Sequence, residues 1–150
     1  MRLPKRSRLR RTTIARRARQ LAEAFNRGDW EWALVVGYSA ELEVITAKDE
    51  AAVPFGADFE DVYRGHQGLV ALWERWLESW DDYSLEPERV IDFGDRLVVV
   101  LNQRGRGRRS GLEIEQPVAF LTSLDPTGLT TRLEIFWDSA KAFEPAGLQE

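Results

Sequence analysis

The sequence predicts a single α+β domain, and three observations carry that reading. Apolar residues recur at helical spacing in the first half of the chain. After Tyr83 the spacing changes to a period near two. Clusters of Gly, Asp and Pro punctuate this second half at strand-length intervals. At 150 residues, with 43% apolar content, the chain suits one domain with one sizeable core.

The elements follow in order. Residues 1–11 lack periodicity and read as a basic, flexible arm, so the domain proper spans 12–150. The first helix begins at Thr12 or Thr13, either of which can cap it, and buries Ile14, Ala18, Leu21, Ala22 and Phe25. Gly28 suits the left-handed position that ends it. Asp29 then caps a short second helix running to Gly37. Glu41–Thr46 reads as a strand, and Ala47–Arg64 as a long polar loop of the kind that covers or lines a site.

The third helix, Gln67–Trp80, carries Leu69, Trp73, Trp76 and Trp80 at spacings of four, three and four. Four strands follow, at Leu85–Phe93, Arg96–Arg104, Leu112–Leu124 and Leu129–Trp137. Gly94–Asp95, the Arg104–Gly111 segment and Asp125–Gly128 turn between them, and Pro117 marks a bulge or strand edge. Asp138 caps a final short helix ending before Gly147.

Composition removes several function classes. Without cysteine there are no disulfides and no thiolate metal sites, and a reducing cytoplasm is the expected location. No apolar run reaches the length of a membrane span, and no secretory leader is legible. The net charge of −4 hides an asymmetry: residues 1–22 hold nine Lys or Arg and no acid, leaving 12 basic and 25 acidic side chains elsewhere. Such an arm can meet nucleic acid or an anionic membrane, or fold back on its own acidic body. No aromatic interleaves its arginines, so nucleic acid is not the expected partner; residues 1–19 are the reason to test it.

Specific words of the sequence are similar to the SnoaL-like family of the nuclear transport factor 2-like superfamily. They are AFNRGDW (Ala24–Trp30), VYRGHQGL (Val62–Leu69), FGDRLVVVL (Phe93–Leu101), GRGRRSG (Gly105–Gly111) and IFWD followed by AGL (Ile135–Asp138, Ala146–Leu148). The resemblance implies a cone-shaped barrel in which a curved antiparallel sheet wraps three helices around an internal pocket. It also implies a homodimer through the outer sheet face and a small-molecule ligand. Enzymes and binding-only members share the fold, so the residues decide. Steroid isomerases of this fold place a base and two oxyanion donors at positions matching Ile45 or Thr46, Leu21 and Phe120 here. None has the required group, which argues against that chemistry.

Among chemistry-bearing residues, His66 is the single histidine and could act as a general base at the start of the third helix, with Tyr63 or Asp138 as partner. The competing reading is a histidine that bonds local backbone. One histidine is too few for a catalytic zinc set, so neither metal nor cofactor is expected. Asp138 already has work as a cap. Tyr63, His66, Trp73, Trp76, Phe120 and Trp137 are the expected ligand-binding set, the aromatic rings suiting a flat apolar molecule. The carboxylates of the long loop (Asp49, Glu50, Asp58, Glu60, Asp61) and the arginines of Arg104–Arg109 read as solvated charge. A lyase, isomerase or hydrolase using His66, and a filled dimeric interaction module, are the alternatives to a binding pocket.

Overall fold

A computed structural model describes residues 8–46 and 61–144. Two helices, α1 (Arg8–Asn26) and α2 (Trp30–Gly37), lead into β1 (Tyr38–Ile45); β2 (Val62–Arg64) then runs into α3 (Gly65–Leu77). Four strands follow: β3 (Trp80–Asp92), β4 (Arg96–Gly107), β5 (Glu113–Leu124) and β6 (Thr130–Phe136). A 3-10 turn, Ser139–Phe143, closes the described chain. The expected α+β class is observed.

The six strands form one open sheet in the order β2-β1-β6-β5-β4-β3. It is mixed rather than wholly antiparallel, because β1 lies parallel to β6 while every other junction is antiparallel. The antiparallel sheet that the resemblance implies holds for β3 to β6, whose turns are local, and not for the pairing between the first strand and the last. Pro117 pairs with Asn102 without a bulge. It stands beyond the end of β6, whose pairing with β5 stops at Ala119 and Phe136, so its missing N–H costs no ladder bond there.

Helix α1 starts at Arg8, four residues before the expected boundary, so the arm overlaps the helix at Arg8–Arg11; residues 1–7 lie outside the described residues. Thr12 and Thr13 are interior and do not cap it: their hydroxyls donate back to the carbonyls of Arg8 and Leu9. The helix ends as expected at Gly28, with φ +81°. Gly28 N–H bonds Phe25 O and Asp29 N–H bonds Ala24 O, the paired bonds of a Schellman ending. Asp29 makes no side-chain cap to α2; its carboxylate faces Arg27 instead.

Helix α3 stops at Leu77 rather than Trp80, since Trp80 already belongs to β3 and pairs with Gly107. The last three residues of the expected loop became β2 through pairing of Tyr63 with Val44. Residues 47–60 of that loop, with Asp49, Glu50, Asp58 and Glu60, lie outside the described residues, as does the end of the final helix near Gly147. Asp138 does cap, accepting the Ala140 N–H at 3.2 Å, but the element it starts is a 3-10 turn.

Strand alternation divides the apolar residues into two clusters. Leu97, Val99, Leu101, Val118, Leu133 and Ile135 point to the side covered by the helices. Val98, Val100, Ala119, Leu121 and Phe136 point to the other side, where Ala142 and Phe143 of the 3-10 turn cover them.

Candidate functional site

The space between α1 and the concave side of the sheet is not filled. A cavity of about 800 Å³ lies there. One stripe of α1 forms a wall of it, with Arg10, Thr13, Ile14, Arg17, Ala18 and Leu21 at neighbouring helical positions. The stripe grades from polar near the helix start to apolar towards Phe25. Facing it are Leu97 and Val99 of β4 and Phe120, Thr122 and Leu124 of β5.

The hollow persists because α1 is tied at its two ends and carries small residues between them. Near its start, Arg10 Nε lies 2.7 Å from Asp92 Oδ2, and its second arm donates to the Gly94 carbonyl. Both side chains are almost fully buried, at 10% and 5% exposure, so this pair is shielded from screening. At the other end the Asn26 amide holds the Leu85 backbone through two bonds, each 2.9 Å. Ala18 and Ala22 lie between these ties and reach little way towards the sheet. Helix α2 is set tightly against α1: a Cβ at Gly37 would come within 2.8 Å of Leu21, so the position requires glycine or a shifted leucine.

Tyr38, the first residue of β1, lines this cavity. Among the described residues its hydroxyl has no hydrogen-bond partner. Burial pushes its pKa up to about 12, so it is a neutral donor and acceptor throughout the physiological range. The carboxylates on the lining, Asp95 and Asp125, stand on the β3–β4 and β5–β6 turns. Asp125 is fully engaged by its own turn, accepting from Thr127 N and Oγ1 and from Leu129 N. These bonds, the Thr127 hydroxyl foremost, hold its pKa below the ordinary carboxylate value.

A second void of about 60 Å³ lies towards α3. Phe25, Tyr38, Trp73 and Phe120 line both spaces and stand between them. Trp76 and Trp137 line the small void, with ring centroids 5.0 Å apart. Gln103, fully buried, also lines it; its amide oxygen accepts from Tyr83 at 2.7 Å while its nitrogen has no partner.

The expected site residues therefore separate. Trp73 and Phe120 reach the large cavity, and Trp76 and Trp137 surround only the small void. Tyr63 and His66 line neither space. His66 Nε2–H donates to the Tyr38 carbonyl at 2.8 Å, the backbone role weighed against catalysis. Asp138 sits outside as the cap already described. Neither the cavity nor the void has His66, Tyr63 or Asp138 in its lining. Leu21, Phe120 and Thr46, matched above to the steroid-isomerase groups, all line a cavity or void, and none offers a carboxylate or phenol. Tyr38, Leu97 and Val99 also line the cavity and were not expected there; the faint sequence signal for Tyr38 was the Gly37 that brings α2 close before the strand.

An open sheet folded over three helices around such a hollow defines a class, and the sequence supplies its family. The chain belongs to the SnoaL-like domain family, whose model matches residues 18–132. Solved structures share the fold at low identity. TerC, co-crystallized with polyporic acid, is 20% identical with a TM-score of 0.65, over 85% of this chain and 93% of its own. A candidate SnoaL-like polyketide cyclase from Jannaschia sp. CCS1 is 16% identical with a TM-score of 0.68, over 99% and 100%. A protein of ketosteroid isomerase-like fold from Catenulispora acidiphila DSM 44928, in complex with trimethylamine, is 12% identical with a TM-score of 0.63, over 85% and 89%. No curated protein matches the sequence.

Proposed function

We propose that this chain binds a small, largely apolar or aromatic molecule in the cavity between α1 and the sheet. The observation that carries the reading is the cavity itself. Its volume of about 800 Å³ falls within the range of small-molecule sites, roughly 300–1,000 Å³. Its inner wall is aliphatic and aromatic, and Tyr38 offers one unengaged hydroxyl that would orient an oxygen-bearing ligand. TerC and the Catenulispora protein, with their bound molecules, are examples of the same fold holding small ligands. Trp73 and Phe120 remain in the binding set from the sequence reading, with Trp76 and Trp137 backing them. His66 and Tyr63 enter it as supports of β1 rather than contacts.

Binding of 2-acetylnaphthalene, followed by tryptophan fluorescence, tests this directly. Saturable one-site binding is expected, lost or weakened at least about tenfold by Leu21→Trp, which fills the hollow. Tyr38→Phe should weaken it by up to about tenfold, the worth of one hydrogen bond. Unsaturable binding, or binding indifferent to Leu21→Trp in a folded variant, would discard the reading. The implied homodimer and cytoplasmic location belong to the same proposal. Because the apolar outer face is already covered by Ala142 and Phe143, a dimer would meet through the charged part of that face.

A further inference from the structure

The cavity uses one stripe of α1, and the remainder of that helix is unusual in its charge. Arg8, Arg11, Arg16 and Arg19 are exposed and make no ion pair among the described residues. Arg17, on the cavity wall, donates to the Val36 carbonyl and has no acidic partner among the described residues either. No acid occurs between Arg8 and Ala22. The outer sheet behaves differently: Arg104 meets Glu115, Arg106 meets Glu113, and Arg64 and Arg132 both meet Glu43. A chain that matches its arginines with carboxylates there leaves five unmatched on one helix.

The same two helices carry exposed apolar residues. Four large apolar side chains are exposed among the described residues: Leu9 (63%), Trp32 (37%), Val35 (69%) and Leu112 (70%). Three of them lie on α1 and α2. Trp32 and Val35 are neighbours on the outward side of α2, and Leu9 and Arg16 lie two turns apart on one side of α1. The Arg17–Val36 bond and the seating of Gly37 against Leu21 hold the helices side by side.

We infer that α1 and α2 form a docking surface for a membrane containing anionic lipid. Unmatched arginines gain from the negative surface potential of such a membrane. A half-exposed tryptophan beside aliphatic residues gains from the headgroup boundary, where its ring is apolar and its N–H stays wet. A nucleic acid would reward the arginines but leave Leu9 and Val35 in water, so the lipid surface is the better fit. The inference rests on exposed residues and stands whether or not the cavity takes a ligand.

Co-sedimentation of the full chain with phosphatidylcholine vesicles, with and without phosphatidylglycerol, tests it. Binding is expected only with phosphatidylglycerol. Arg16→Gln combined with Arg19→Gln should weaken it about thirtyfold, from two lost charges, whereas the paired lysine variant should retain it. Trp32→Ser with Val35→Ser should weaken it about tenfold at fixed salt, from lost apolar burial. Circular dichroism of each variant separates loss of docking from loss of fold. The inference is overturned by any of three outcomes: no difference between the vesicles, vesicle binding indifferent to Trp32 and Val35 with equal affinity for duplex DNA, or arginine-dependent self-association in place of vesicle binding.

Discussion

The two sides of the central strands make a controlled comparison, because the same backbone presents apolar residues to both. On the outer side, Val98, Val100, Ala119, Leu121 and Phe136 meet a five-residue 3-10 turn that lies directly on them, and Ala142 and Phe143 are buried in the contact. On the inner side, Leu97, Val99, Phe120 and Leu133 face a helix held off by its two end ties. The difference lies in how the covering element is attached. A short cover beside its strand collapses onto it, while a long cover fastened at both ends spans a gap.

Matched truncations should expose the contrast. Leu121→Ala on the filled side should cost about 4 kcal/mol, since it opens a cavity in a packed environment. Leu97→Ala on the hollow side should cost about 2 kcal/mol, because the leucine already borders empty space and lacks contacts there. Urea melts of the two variants measure the pair; equal losses would mean that the inner side is packed. A smaller effect is expected at the cover itself. Asp138→Ala removes the bond to Ala140 and should cost about 1 kcal/mol, read as a lower melting temperature.

The finest test concerns pH. Tyr38 ionises near 10.0 in an unfolded chain and at about 12 when folded, so its proton is held more tightly in the native state. Stability from this group is intact below pH 10 and declines as the pH rises towards 12, where the unfolded chain alone ionises. Tyr38→Phe should flatten that part of the denaturation profile and leave neutral pH unchanged. Tyr83, also raised by burial, contributes a further loss above the same threshold. A profile identical in the two proteins would place the Tyr38 hydroxyl in contact with water.

Much of the fold was legible because it is local. The switch in periodicity after α3 located β3 to β6, and the Gly94, Asp125 and Gly128 turn signals placed their connections. What escaped depends on contacts distant along the chain. Arg10 and Asp92 are separated by 82 positions, and Asn26 and Leu85 by 59. Those ties extend α1 to Arg8 and decide where the hollow lies, and no window of sequence contains both ends of either. The tryptophans divide between the two spaces for a related reason. Trp73 sits against Trp30 and Phe25, and Trp76 against Trp80, Tyr83 and Trp137, so much of that aromatic surface packs on itself. Beside Trp73 and Phe120, the wall of the larger space is built from modest residues, such as Ala18 and Val99, that announce nothing individually.

The parallel seam between β1 and β6 bears on how the chain matures during synthesis. Strand β1 gains its inner neighbour only when residues near 130–136 have left the ribosome, and Trp137 reaches back 91 positions to the Thr46 carbonyl. Hairpins β3–β4 and β4–β5 can zip as they emerge, and α1 can dock once Leu85 and Asp92 of β3 are made, whereas β1 has only β2 beside it until the final strand arrives. The sheet therefore becomes continuous last, when β6 inserts between β1 and β5.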